Sequence, residues 1–156
     1  MKLTFLYVET TRASWLEKLR EEYATKISRF LPFEYLRVKS PSRSRQDSYI
    51  KVKEEFKTIS KLLSADSFVI LCDEHGQDLD SVQFSKKLQT QIESGKKRII
   101  VIIGGPFGVD EALKQRANWQ LKLSSLTLSH TVAQAVMLEQ LYRALTIWKG
   151  IKYHNE

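Results

Sequence analysis

Residues able to do chemistry collect at a few places along the chain. The first is Leu71-Cys72-Asp73-Glu74-His75-Gly76, continued by Asp78 and Asp80. Carboxylates beside an imidazole suggest a metal, but the spacing matches neither a calcium loop nor a histidine–carboxylate triad. An acidic exposed turn is the plainer reading. Cys72 lies in an apolar run, where a thiol is buried and inert. The second place is Ile103-Gly104-Gly105-Pro106-Phe107-Gly108, with three glycines in five residues. Glycine admits positive φ and lets a ligand approach the backbone closely. No Gly-Lys-Ser/Thr follows, so this is not a P-loop. Pro106 stands where a dinucleotide fingerprint wants its second glycine. Alone, the segment reads equally as a tight strand-to-helix turn.

The third place, Leu123-Ser124-Ser125-Leu126-Thr127-Leu128-Ser129-His130, alternates leucine with small polar residues. Its backbone groups suit the edge of a flat heterocycle, with leucines against the faces. The alternative is a strand end followed by a helix cap at Ser129 or His130. The fourth is the C-terminus, with Tyr142-Arg143-Ala144 and then Tyr153-His154-Asn155-Glu156. Aromatic rings stack on unpaired bases, and arginine contacts phosphate or stacks; a frayed terminus is the bland reading. The fifth runs from Arg37 to Arg45 and holds Arg37, Lys39, Arg43 and Arg45 with no acid. Pro41 and the serines make it a loop. It is either a solvated charge run or an arm that grips phosphate on contact.

Charge favours the second. Lys plus Arg is 25 against 18 Asp plus Glu, a net +7. Such an excess suits an anionic partner, nucleic acid before a membrane surface. Other classes fall away. The apolar runs Phe68–Cys72 and Ile99–Ile103 are far short of the roughly 20 residues of a membrane span. The apolar start Leu3–Val8 is too short for a secretory core and is followed by Glu9. A lone cysteine allows neither an internal disulfide nor a thiolate metal cluster, and His75, His130 and His154 are scattered. The expectation is a cytoplasmic protein with no bound metal and no membrane segment.

Strands and helices alternate around these places. Leu3–Val8, Phe33–Val38, Phe68–Cys72, Ile99–Ile103 and Trp119–Leu123 read as strands. Apolar residues at helical spacing mark helices through Trp15–Ile27, Val52–Leu63 and Phe84–Ile92. Asp110 opens a short helix, and Thr131–Lys149 is a long one. The order predicts one α/β domain over residues 1–156, with a mainly parallel sheet covered by helices on both faces. Ligands in such sheets bind outside the carboxyl ends of the strands, which is where the first three places fall.

The whole chain resembles the bacterial 23S rRNA pseudouridine N3-methyltransferases of the SPOUT class. The Met-Lys-Leu opening, Ile103-Gly104-Gly105-Pro106 with Gly108, and the Ser-x-Leu-Thr-Leu-x-His stretch ending at His130 carry the likeness. So do Glu139 with Leu141-Tyr142-Arg143-Ala144, and the terminal Tyr153-His154-x-Glu156. The resemblance implies an α/β trefoil knot, an exception to unthreaded chains. It implies S-adenosylmethionine held by loops matching Leu71, Gly105 and Ser124, Ser125, Leu126, Thr127, Leu128 and Ser129. It also implies a homodimer with the last helix at its interface, acting on a pseudouridine in the 23S rRNA of the large subunit. The sequence departs from the family pattern at three positions: Ser129 stands for proline, Gln134 for arginine and Asn155 for arginine.

The reaction so implied moves a sulfonium methyl to N3 of the base. Arg143, Tyr153 and His154 are the expected catalytic residues, with Tyr153 and His154 positioning the base and Arg143 steadying phosphate or the partner subunit. His154 or water takes the N3 proton. Arg37, Lys39, Arg43 and Arg45 are the expected RNA contacts. A glutamate at Gly105 is expected to block the cofactor pocket. Two rival readings are a SPOUT methyltransferase with another target nucleotide and a non-enzymatic ribosome-binding protein.

Overall fold

The computed structural model describes residues 1–41 and 47–155. Five strands and five helices alternate along it: β1 (Lys2–Glu9), α1 (Ser14–Ser28), β2 (Phe33–Lys39), α2 (Ser48–Leu62), β3 (Ser67–Asp78), α3 (Ser81–Glu93), β4 (Arg98–Ile103), α4 (Glu111–Arg116), β5 (Trp119–Lys122) and α5 (His130–Trp148). The strands form one sheet in the order β2-β1-β4-β3-β5, and every pairing is parallel. All carboxyl ends therefore lie along one edge.

The central strands are apolar on both faces because helices cover both. On one side Leu3, Phe5, Tyr7, Ile70, Ile99 and Val101 pack beneath α1, α3 and α5. On the other, Leu6, Val8, Leu71, Ile100 and Ile102 pack against Ile59 of α2 and Leu113 of α4. Strand alternation decides which residue serves which side. Caps fix the helix starts. Asp80 and Gln83 form a reciprocal capping box on α3, and Asp110 accepts from the Ala112 backbone N–H at 2.8 Å. Ser129 Oγ accepts from the Val132 N–H to open α5 at 3.3 Å.

Two sequence expectations change. The stretch Arg37–Lys39 is strand rather than loop: β2 runs in register with β1 through the pairs Tyr7–Arg37, Val8–Val38 and Glu9–Lys39. Arg43 and Arg45 lie outside the described residues. The acidic turn after Cys72 is a continuation of β3, which shifts register against β5 between Cys72 and Gln77. Gly76 allows this, because a Cβ there would stand 2.6 Å from the Leu121 backbone. Only Glu74, Asp78 and their neighbours remain exposed; Asp73 is folded in.

Candidate functional site

Parallel order brings three strand ends together. β3 and β4 are neighbours and β5 flanks β3, so the second half of β3 and the segments that follow β4 and β5 converge. Between them is a cavity of about 410 Å³, within the range of small-molecule sites. Its walls are Cys72–His75, Ile103–Pro106 with Gly108 and Val109 of the glycine bend, the Lys122–Leu128 loop, and His130 and Ala133 on the first turn of α5. Gly105, Ser124, Ser125, Leu126, Thr127 and Leu128 all lie on it. Leu71 and Ser129 do not. Leu71 is wholly buried on the opposite face of β3, since adjacent strand residues point to opposite sides. The Ser129 hydroxyl is taken up in capping α5.

The glycine bend is tight. Gly108 N–H donates to the Gly105 carbonyl at 3.1 Å, with Gly108 at φ +79°. A Cβ on Gly104 would fall 2.5 Å from Val109 Cγ1, so only glycine fits. A Cβ on Gly105 would meet Val8 Cγ1 at 3.3 Å and the Glu55 carboxylate at 3.6 Å. A side chain there points at the packing beneath the loop, so Gly105→Glu confronts a buried carboxylate instead of filling the cavity. Burial raises the Glu55 pKa, and the Ser40 hydroxyl, donating at 2.7 Å, offsets part of the rise. In the facing loop the Leu126 N–H donates to Ser124 Oγ at 2.9 Å. Among the described residues the other backbone N–H groups of 125–128 donate to nothing in the chain.

Sequence reasoning assigned no binding role to three side chains on these walls, reading Cys72 as inert and Asp73 as part of an exposed acidic turn. Asp73 is one. Burial works to raise its pKa, but the His75 backbone N–H at 2.9 Å and the Lys114 ammonium at 3.2 Å outweigh it, so it stays ionised below the ordinary range. His130 is the second; burial lowers its pKa and its Nε2 meets Thr10 Oγ1 at 3.0 Å. Cys72 is the third, with burial pushing its thiol far up and its Sγ 3.6 Å from Met137 Sδ. It is an inert wall. Strand alternation from the buried Leu71 would have pointed to Cys72 but not to Asp73.

The expected catalytic residues form a second, separate cluster. Arg143 reaches Glu139 on the preceding helical turn, Nη2 to Oε1 at 2.6 Å and Nε at 3.0 Å. The Tyr153 hydroxyl donates to the same Oε1 at 3.1 Å, and Arg143 Cζ lies 4.8 Å from the Tyr153 ring centre. Arg143 Nη1 donates to His154 Nδ1 at 3.1 Å. Tyr142 meets Tyr153 edge-on at 4.8 Å. The tail is thus folded back on α5 rather than frayed. Arginine carries only donors, so Nδ1 is an acceptor here and a neutral His154 holds its proton on Nε2. The outward nitrogen is a donor.

None of this cluster lines the cavity. Ala133 and Arg143 are ten residues apart on one helix, about 15 Å at 1.5 Å per residue. Of the expected RNA contacts, Arg37 is drawn onto Glu9 at 3.2 Å and Lys39 is exposed at the end of β2. Gln134, where the family pattern has arginine, is buried and accepts from Arg20 Nη1 at 2.8 Å. The guanidinium at this point comes from α1.

A family model described as "Predicted SPOUT methyltransferase" matches residues 1–154. The chain is 44% identical to the ribosomal RNA large subunit methyltransferase H of Bdellovibrio bacteriovorus, over 99% of both chains. It is 37% identical to the protein of the same name from Cytophaga hutchinsonii, over 99% of this chain and all of that one. Among solved structures, a probable methyltransferase from Bordetella pertussis superposes with a TM-score of 0.59 over 92% of this chain and 95% of that one, at 11% identity. That likeness concerns the fold alone.

Proposed function

Because the chain belongs to the SPOUT methyltransferase family, we propose that it transfers a methyl group from S-adenosylmethionine to N3 of a pseudouridine in 23S rRNA, as one methyltransferase domain over residues 1–156. The observation that carries this is the convergence of the glycine bend and the serine–leucine loop on one cavity at the strand ends. They are at least thirteen residues apart in sequence and line the same cavity. The large-subunit rRNA target follows from the names of the relatives, and the trefoil knot from the family.

The cavity suits the methyl donor. Leu126 and Leu128 offer apolar contact for a flat base, and the free backbone N–H groups beside them suit its edge. The ionised Asp73 carboxylate offers an acceptor for hydroxyls. Gly104 and Gly105 let the loop backbone come close. When bound, S-adenosylmethionine supplies a methyl group already activated on a sulfonium. The protein therefore contributes alignment and electrostatics. In this reading the His154 Nε2–H donates to a carbonyl of the base and Tyr153 packs against its face, which makes both positioning groups. The N3 proton passes to water, because Arg143 holds the accepting nitrogen of His154.

The working unit is a homodimer acting on ribosomes in the cytoplasm. The cavity and the tail cluster are too far apart in one chain to share a nucleotide, so the tail of one subunit serves the cavity of the other. α5 supports this. Beyond its buried Met137, Leu138, Leu141 and Leu145, its outer side carries Val132, Ala135, Val136 and Ile147. A helix apolar all round calls for cover on all sides.

Purified protein incubated with labelled S-adenosylmethionine and ribosomes tests the reading. Label is expected in 23S rRNA only when the target is pseudouridylated, at N3 by mass spectrometry. Methyl on another nucleotide means a related enzyme. No affinity for S-adenosylmethionine by calorimetry means a non-enzymatic RNA binder. Ala133→Phe, which fills the cavity from α5, is expected to weaken that affinity at least tenfold, a loss of about 1.4 kcal/mol or more.

A further inference from the structure

Among the described residues, nine large apolar side chains are exposed, and four of them lie on the glycine bend, the facing loop and the first turn of α2. Phe107 (58% exposed) tips the glycine bend between the cavity-lining Pro106 and Gly108, and Leu126 (78%) lines the cavity from the facing loop. Tyr49 (65%) and Ile50 lie on the first turn of α2. Scattered exposed apolar residues need no explanation, but a cluster does.

The α2 turn and the glycine bend are tied together. Lys53 pairs with Asp110 at 2.8 Å, and its Nζ lies 5.3 Å from the Tyr49 ring centre. Lys51 Nζ lies 5.7 Å from the Phe107 ring centre. Beneath them Glu55 of α2 stands against Gly105. Two rings, each with an ammonium nearby, are therefore held on joined elements, one of which is the glycine bend that lines the cavity. Lys53 is engaged with Asp110, whereas Lys51, whose charge also acts on the Glu55 carboxylate, is in no ion pair among the described residues.

A ring with an adjacent cation suits an unstacked base and its phosphate: every base has a π-face, and the ammonium meets the backbone. An apolar protein partner would not call for the ammonium groups. The net charge of +7 fits the same occupant. We propose that Tyr49 and Phe107, with Lys51, form a stacking rim that holds an unpaired RNA base and phosphate next to the nucleotide being methylated. This rests on the RNA methyltransferase reading, and it extends the expected RNA contacts from the basic residues of 37–45 to aromatic side chains.

The test uses Tyr49→Ala, Phe107→Ala, the double variant, Phe107→Tyr and Lys51→Gln, with ribosomes as substrate. Binding of ribosomes by filter retention and methylation kinetics are followed in parallel. Each alanine is expected to raise KM for ribosomes roughly tenfold, the scale of one lost stacking contact. The affinity for S-adenosylmethionine stays within twofold, and Phe107→Tyr restores most of the effect. Lys51→Gln is expected to lower the salt slope of ribosome binding by about 0.7 to 1. An active wild type whose double variant keeps its KM and binding overturns the rim. So does a matching loss of S-adenosylmethionine affinity, or dissociation to monomers, which would make the patch a subunit contact. A wild type that binds ribosomes through these rings yet methylates nothing overturns the enzymatic reading and leaves the rim standing.

Discussion

His154 is where a single contact changes a role. An imidazole near neutrality invites the part of general base, and the sequence places it on a polar tail. Arg143 Nη1 donates to its Nδ1 at 3.1 Å, which leaves Nε2 as the outward donor. The two roles separate by substitution. Glutamine keeps a donor but cannot take a proton. His154→Gln is expected to keep kcat within about tenfold of wild type, while His154→Ala falls further, with methyl-donor affinity unchanged in both. A general base contributes about a hundredfold or more. Equal losses on that scale in both variants, measured by single-turnover methylation, would return His154 to the role of base. Arg143 itself is held by Glu139 and stacked on Tyr153, so Arg143→Lys keeps the charge but loses the planar fork.

At the scale of elements, Asp110 shows how a cap sets the cavity wall. It opens α4, accepts from the Ala112 N–H, and pairs with Lys53 of α2. Asp110→Ala is expected to cost about 1 kcal/mol in urea unfolding, the ordinary value of an N-cap. The pH dependence follows from its pKa, which the Lys53 contact, then the Ala112 N–H, hold below the ordinary carboxylate value. A lowered folded pKa means stability fully present above the unfolded pKa and lost as pH falls through the folded one. Wild type and Asp110→Ala are therefore expected to converge in stability as pH drops below the carboxylate range; a gap that persists there would place the cost in packing.

Elements of this kind were legible in the sequence because each is written locally. Apolar patterning marks nine of the ten, Asp110 announces the short α4, and Ser129 or His130 reads as the start of α5. What escaped was non-local. Nothing in Leu71-Cys72-Asp73 says that β3 runs on to Asp78, since that depends on Gly76 lying against Leu121 of another strand. In a strand apolar on both faces, composition also cannot tell which side Leu71 takes. The cavity loops were legible through their unusual composition, whereas Asp73 and His130 were hidden among polar residues that look like any exposed turn. The exposed rings of Tyr49 and Phe107 carry no sequence signal of exposure at all.

At the scale of the whole molecule the separation of cavity and tail becomes decisive. Both were expected to act on one nucleotide, yet α5 holds them about 15 Å apart. Either the tail unfolds and swings within its own chain, or a second copy brings its tail across a twofold axis. The tail is pinned by Glu139, Arg143 and Tyr142, so swinging would break every one of those contacts, whereas a twofold partner keeps them. Mixed dimers decide between the two. Ala133→Phe disables the cavity and leaves the tail; His154→Ala disables the tail and leaves the cavity. If each site joins a cavity to the partner's tail, a mixed dimer holds one intact site of two. Unfolding and refolding equal amounts of the two inactive proteins together then restores about a quarter of wild-type activity, because half the dimers are mixed. If each chain serves itself, every site in every dimer carries one lesion, and the mixture stays as inactive as its parts.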